Sequence, residues 1–141
     1  MKQVQIQKIA LDSCVVIDIL EKHKVASGLK ARLRGKSISI VLCDVVLEEV
    51  QRVRGLSPKI VIDEISKILG RPIELSEIDE QNKTSANEIT NQFQICHNGD
   101  NEILSLCQAK DFVLVTFDRM LLKTCEFLGV AGFHPSMVGG I

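Results

Sequence analysis

Ile9-Ala10-Leu11-Asp12-Ser13-Cys14-Val15-Val16-Ile17-Asp18 sets one carboxylate between two apolar runs. A charge embedded in apolar surroundings is costly unless it is hydrogen-bonded or put to use. Residues 6–11 read as a short strand running into Asp12. Residues 14–21 read as the start of a helix, although by periodicity the run 14–17 fits a buried strand as well as a buried helix. Asp12 is then either a helix N-cap or a functional acid at a strand end.

Outward from this stretch the same alternation recurs. Residues 25–33 form a second helical stretch and residues 37–42, Ser-Ile-Ser-Ile-Val-Leu, a strand. A helical pattern starts at Asp44, with Val45, Val46, Glu49, Val50 and Val53 on related turns, and Gly55 ends it. Pro58 opens the next helix, whose stripe is Ile60, Val61, Ile65, Ile68 and Leu69, and Gly70 caps it. Residues 72–75 make a short strand. The polar segment 76–97 is helical from about residue 80, with Ile89, Phe93 and Ile95 facing inward. Gly99-Asp100 starts a helix through Ala109, Val113-Leu114-Val115 is a strand, Asp118 to Leu128 is a helix stopped by Gly129, and Val130 to Phe133 is a last strand. Short apolar strands alternating with helices predict an α/β fold: a mostly parallel sheet covered on both faces. At 141 residues, with no linker and no internal repeat, the chain 1–141 reads as one domain.

Composition removes several classes. With 45% apolar and 25% charged residues, the chain is neither disordered nor collagen-like nor mucin-like. A net charge of −1 excludes a uniformly basic nucleic-acid binder, yet the charge is unevenly spread. Residues 1–71 carry 13 Lys/Arg against 8 Asp/Glu, and residues 72–141 carry 4 against 10. Five widely spaced cysteines, at 14, 43, 96, 107 and 125, contain no CxxC knuckle and read as thiols in a reducing compartment. Three histidines form no HExxH or finger pattern. With no Trp or Tyr and only five Phe, an aromatic platform for single-stranded nucleic acid is disfavoured. Neither a signal peptide nor a membrane span is legible, so the expected location is cytoplasmic.

In parallel α/β sheets, ligands gather beyond the carboxyl ends of the strands. The polar residues that follow strands here are Asp12, Asp44, Thr116 and Asp118, with Glu48 and Glu49 one turn into a helix and Asp100 opening another. Clustered carboxylates repel one another unless protons or cations neutralise them. Hard divalent ions such as Mg²⁺ take oxygen ligands and can activate water and stabilise phosphoryl oxygens. Neither a Walker-type loop nor GxGxxG is present. Each acid also has a structural reading: Asp12, Asp100 and Asp118 suit helix N-caps, and Asp100 with Glu102 suits a favourable first turn. Glu49 shares a helical face with Val45, Val46 and Val53 and is directed inward, whereas Glu48 is solvated. Asp18 and Glu21 read as a surface helix face. Ser13 and Thr116 can orient a carboxylate or water, or equally bond a helix end.

The motifs taken together resemble those of the PIN-domain family of nucleases. Ile9 to Asp18 resembles the family's first-strand motif, with Asp12 ending the strand and Ser13 following. Val45-Val46-Leu47-Glu48-Glu49-Val50 is similar to its acid-bearing helix, the register favouring Glu49. Asn98-Gly99-Asp100-Asn101-Glu102-Ile103-Leu104 resembles the next motif, with Asp100 the third acid. Leu114-Val115-Thr116-Phe117-Asp118-Arg119 resembles the last, with Thr116 and Asp118 in place. The resemblance implies a three-layer α/β/α domain that binds Mg²⁺ or Mn²⁺ through Asp12, Glu49, Asp100 and Asp118 and cleaves RNA, with Thr116 and Ser13 positioning a carboxylate or water. It also implies the partners seen in the family: an antitoxin or RNA-processing protein, and often a homodimer. Lys30, Arg32, Arg34 and Lys36, between the first two acids, are either a solvated face or a track guiding the RNA backbone. A non-catalytic RNA-binding or assembly factor on the same fold, and a metal-dependent phosphatase of small molecules, are the competing readings.

Overall fold

The structure is a computed structural model that describes residues 7–92 and 100–140. Five strands make one sheet: β1 (Gln7–Leu11), β2 (Ile38–Cys43), β3 (Ile73–Ser76), β4 (Val113–Val115) and β5 (Gly132–Phe133). Their order is β3-β2-β1-β4-β5, and every pairing is parallel. The helices are α1 (Ser13–Glu21), α2 (Lys24–Leu33), α3 (Asp44–Arg54), α4 (Pro58–Leu69), α5 (Glu80–Gln92), α6 (Asp100–Lys110) and α7 (Arg119–Leu128).

The chain steps from β1 outward to β2 and β3, then returns to the other side of β1 for β4 and β5. Right-handed crossovers in opposite directions put their helices on opposite faces. Accordingly α1 packs with α2, α3 and α4, while α6 packs with α5 and α7. This is the three-layer α/β/α sandwich. Strands covered on both faces need apolar side chains on both sides, and Ile9, Ala10, Leu11, Ile40, Val41, Leu42, Leu114 and Val115 are all fully buried.

The ambiguous run after Asp12 is helical from Ser13 onward. Val15, Val16 and Ile19 are buried at helical spacing, and the peptide groups of Val15 and Val16 donate to Asp12 O at 3.1 Å, so the turn closes at once. α4 is bounded as its composition requires. Ser57 Oγ accepts from Ile60 N at its start, Pro58 fills the first helical position, and Gly70 leaves it at φ +66°, a conformation that favours glycine.

Four details differ from the expectation. The last strand is only Gly132–Phe133, because Val130 N donates to Cys125 O and so closes the end of α7 instead of joining the sheet. Val53, in the last turn of α3, is exposed, and the buried stripe of that helix is Val46, Leu47 and Val50. Asp18 is half-buried and accepts from Val25 N, linking α1 to α2, while Glu21 pairs with Arg54. A 3₁₀ turn, Pro135–Gly140, packs against α2 and buries Val138. Ile89 of α5 is buried as expected; Phe93, Ile95 and Gly99 lie outside the described residues. Among the described residues Cys14, Cys43, Cys107 and Cys125 are free thiols, and no helix is long and apolar enough to cross a membrane.

Candidate active site

The strand order reverses between β1 and β4, which leaves a crevice beyond their carboxyl ends. A cavity of about 330 Å³ opens there, lined by Asp12, Ser13, Cys14, Glu49, Asp100, Phe117 and Asp118. Four carboxylates from four separate stretches of chain thus meet in one cavity. Asp12 ends β1, Glu49 comes from the middle of α3, Asp100 opens α6, and Asp118 follows β4.

Asp12 is only 6% exposed. Its burial is compensated by donors on both oxygens. Oδ1 accepts from Ser13 N at 2.8 Å; Oδ2 accepts from Thr116 Oγ1 at 2.7 Å and from Cys14 Sγ at 3.5 Å. The backbone is held too, since Asp12 N donates to Val115 O across the β1–β4 junction. The contribution of Ser13 therefore comes through its peptide N–H rather than its hydroxyl. Thr116 does not line the cavity. It is fully buried behind Asp12, donating to that carboxylate and accepting from Asp118 N at 3.1 Å.

Asp118 caps a helix and also lines the cavity. Oδ1 accepts from Met120 N at 2.9 Å and Leu121 N at 3.2 Å, capping α7, and Oδ2 takes neither bond. Glu49 is half-buried and its side chain takes no hydrogen bond or ion pair among the described residues, whereas Glu48 is solvent-exposed. Asp100 sits in the first turn of α6 beside Glu102, which is not among the cavity residues.

Cys14 and Phe117 line the cavity and were missed. The available signal was their place in the two strand-to-helix turns, where any side chain borders the crevice. Burial, with the Asp12 charge beside it, pushes the Cys14 thiol up to about 11, so it stays protonated near neutrality and serves as a weak donor.

Other flagged residues lie elsewhere. Asp44 accepts from Val45 N, Ile78 N and Cys43 Sγ, which ties the start of α3 to the segment after β3, and it does not line the cavity. Lys30 and Arg32 belong to the last turns of α2, where cations suit the helix C-terminus. Arg34 and Lys36 lie in the connection to the start of β2. The Arg71 guanidinium fixes that connection by donating to the carbonyl oxygens of Leu33, Lys36 and Ile38. Arg34 and Lys36 therefore sit at the amino edge of the sheet, a strand length from the cavity, or roughly 15 Å at ~3.3 Å per residue. The structure does not bring these cations to the acids, because α2 has to reach the amino end of β2 before that strand can run parallel to β1. A larger cavity, about 820 Å³, also opens at the amino edge, between Lys8, Glu74, Lys110 and Asp111. Lys8 and Glu74 neutralise each other there at 2.9 Å, and it holds no carboxylate cluster.

The donor chemistry of the crevice suits a hard divalent ion. Its charged residues are all carboxylates, with no lysine or arginine among the lining residues described. As they stand, no three His, Cys, Asp or Glu side chains among the described residues are gathered closely enough to hold an ion directly.

The sequence model of the PIN domain matches residues 9–126. No curated protein matches the chain. Among solved structures, VapBC2 from Rickettsia felis, bound to a DNA fragment from their promoter, superposes with a TM-score of 0.70 at 19% identity, covering 91% of this chain and 98% of that one. VapBC-1 from nontypeable Haemophilus influenzae gives 0.66 at 13% identity over 92% and 99%. DNA-bound VapBC from Salmonella typhimurium gives 0.62 at 17% identity over 92% and 98%. At these identities the likeness is one of fold.

Proposed function

This chain belongs to the PIN-domain family, and from that premise we propose that it is a Mg²⁺- or Mn²⁺-dependent endoribonuclease that hydrolyses RNA phosphodiester bonds. The observation that carries the reading is the convergence of Asp12, Glu49, Asp100 and Asp118 on one cavity at the switch point of the sheet. These four residues would hold the metal. A divalent ion bound there supplies charge neutralisation for phosphoryl oxygens and a more acidic water.

The chain's own residues do the positioning. Thr116 fixes one oxygen of Asp12 and, by accepting from Asp118 N, holds the turn that carries Asp118. Ser13 N fixes the other oxygen of Asp12. The α7 cap locks Asp118 through Oδ1. Such outer contacts keep ligands oriented when charge builds up in the reaction.

The test is cleavage of a mixed RNA pool with Mg²⁺ or Mn²⁺, comparing wild type with Asp118→Asn. Cleavage abolished by the substitution supports the proposal. RNA bound but left intact by wild type favours the non-catalytic RNA-binding reading. Hydrolysis of a phosphomonoester without RNA cleavage favours a phosphatase. The likeness in fold to VapBC supports a toxin–antitoxin setting with an antitoxin as protein partner. Co-expression with any small open reading frame found to adjoin the gene, followed by co-purification, tests that setting.

A further inference from the structure

We propose that Phe117 and His134 form an aromatic corner on the rim of the carboxylate cavity, which takes an unpaired nucleobase of the RNA strand next to the scissile phosphate. The proposal rests on the ribonuclease reading above and names how the strand is held at that site.

Phe117 is a half-buried aromatic side chain lining the same cavity as the four acids. The backbone on both sides of it is pinned. Thr116 N donates to Phe133 O at 3.1 Å, and Asp118 N donates to Thr116 Oγ1 at 3.1 Å. β4 and β5 pair with Val115 opposite Phe133, so Phe117, two residues past β4, and His134, one residue past β5, leave the sheet at the same carboxyl edge. That register brings the His134 ring to Phe117, with centroids 5.3 Å apart and planes at 72°. This is a favourable edge-to-face arrangement.

His134 is itself oriented. Its Nδ1 accepts from Ser136 N at 3.2 Å and lies 2.7 Å from Ser136 Oγ. With Nδ1 accepting from the Ser136 peptide, the ring's donor is its Nε2–H. Among the described residues nothing accepts from that N–H. A planar base laid on the Phe117 ring would have the His134 ring beside it at a steep angle.

Charge explains why such a corner is needed. No lysine or arginine lines the cavity among the described residues, and the acids repel phosphate. An uncharged contact would add affinity beside the scissile bond in addition to the metal. Base–aromatic stacking supplies this with little dependence on base identity. A base already free of a duplex reaches the ring without an unpairing cost. Composition alone disfavoured an aromatic platform; the fold makes a small one from one of five phenylalanines.

The test is an abasic walk. A short single-stranded RNA with one defined cleavage site is made with a single abasic nucleotide at each successive position. Cleavage is measured with wild type, Phe117→Leu, Phe117→Tyr and His134→Ala. With wild type, one abasic position beside the cleaved bond should raise KM about tenfold. Phe117→Leu should raise KM about tenfold on intact RNA and lose any further abasic penalty, because the same contact is already gone. Phe117→Tyr should behave as wild type, and His134→Ala should raise KM about threefold. The wild-type walk and the tyrosine variant decide the matter even if Phe117→Leu folds poorly. Wild type that cuts RNA with no abasic penalty overturns the corner alone, as does an equal penalty in wild type and Phe117→Leu. Wild type that cuts no RNA overturns the ribonuclease reading and the corner with it.

Discussion

Thr116 Oγ1 donates to Asp12 Oδ2 at 2.7 Å across 104 positions of sequence, and the same oxygen accepts from Asp118 N at 3.1 Å. One buried hydroxyl therefore couples the acids at the ends of β1 and β4. Thr116→Val removes donor and acceptor together while keeping volume. It should cost about 1–3 kcal/mol in urea unfolding, and lower RNA cleavage about 10- to 100-fold. Thr116→Ser should restore most of both. A valine variant with wild-type cleavage would remove Thr116 from the positioning machinery.

Asp118 caps α7 with one oxygen, which lets its structural role be separated from the chemical one proposed for it. Asparagine caps helices about as well as aspartate. Asp118→Asn should therefore unfold within about 0.5 kcal/mol of wild type while losing cleavage, whereas Asp118→Ala should also lose about 1 kcal/mol of stability. Equal stability losses in the two variants would show that the cap matters little.

Metal binding should be visible without turnover. The crevice holds carboxylates that a divalent ion would neutralise. At a hundredfold excess over Kd, Mg²⁺ or Mn²⁺ should add about 2.7 kcal/mol of stability, read as a rise in Tm of about 5–10 °C. The rise should shrink in Asp12→Asn and be reversed by EDTA. A Tm indifferent to both ions contradicts a site in this crevice.

Buried thiols predict the alkaline limb of stability. Burial raises Cys43 from 9.0 to about 12, and burial with the Asp12 charge raises Cys14 from 9.0 to about 11. Above pH 9 the unfolded chain loses thiol protons that the folded chain keeps. The unfolded state then binds fewer protons, and stability falls as pH rises from about 9 toward 11–12. The chain has no tyrosine to add a phenol titration in that range. Urea unfolding at pH 7.5, 9 and 10.5 should show the decline, with a flatter slope in Cys43→Ala. Cys14, Cys43, Cys107 and Cys125, buried or half-buried, should react slowly with a thiol reagent at pH 8 until urea is added.

Gly132 tests the packing behind β5. A methyl group there would lie 3.0 Å from Leu122 Cδ2 and 3.1 Å from both Cβ and Sγ of Cys125. Gly132→Ala should destabilise by about 1–3 kcal/mol through overpacking, and Cys125→Ala in the same chain should recover part of that loss. Additive losses would place the strain elsewhere.

Much of this was legible in the sequence because the signals are local. Val113-Leu114-Val115, bounded by Asp111 and Thr116, reads as a short strand buried on both faces, and Pro58 and Gly70 bound a helix by their own backbone preferences. The position of Asp12 between two apolar runs marked a strand end, and the face shared with Val45 and Val46 separated Glu49 from Glu48. What stayed hidden depends on which strands become neighbours. Strand order puts β4 beside β1, and with it Thr116 behind Asp12 and Phe117 in the same crevice. It also sends Arg34 and Lys36 to the amino edge, although in sequence they lie between two of the acids. A hydrophobic pattern records which residues are buried but not which strands pair, since a parallel pair is joined through a helix. Residue types and element boundaries were thus set along the chain. The meeting of the four carboxylates in one cavity, and of Asp12 with the Asp118 backbone on one hydroxyl, was decided only when the sheet closed around β1.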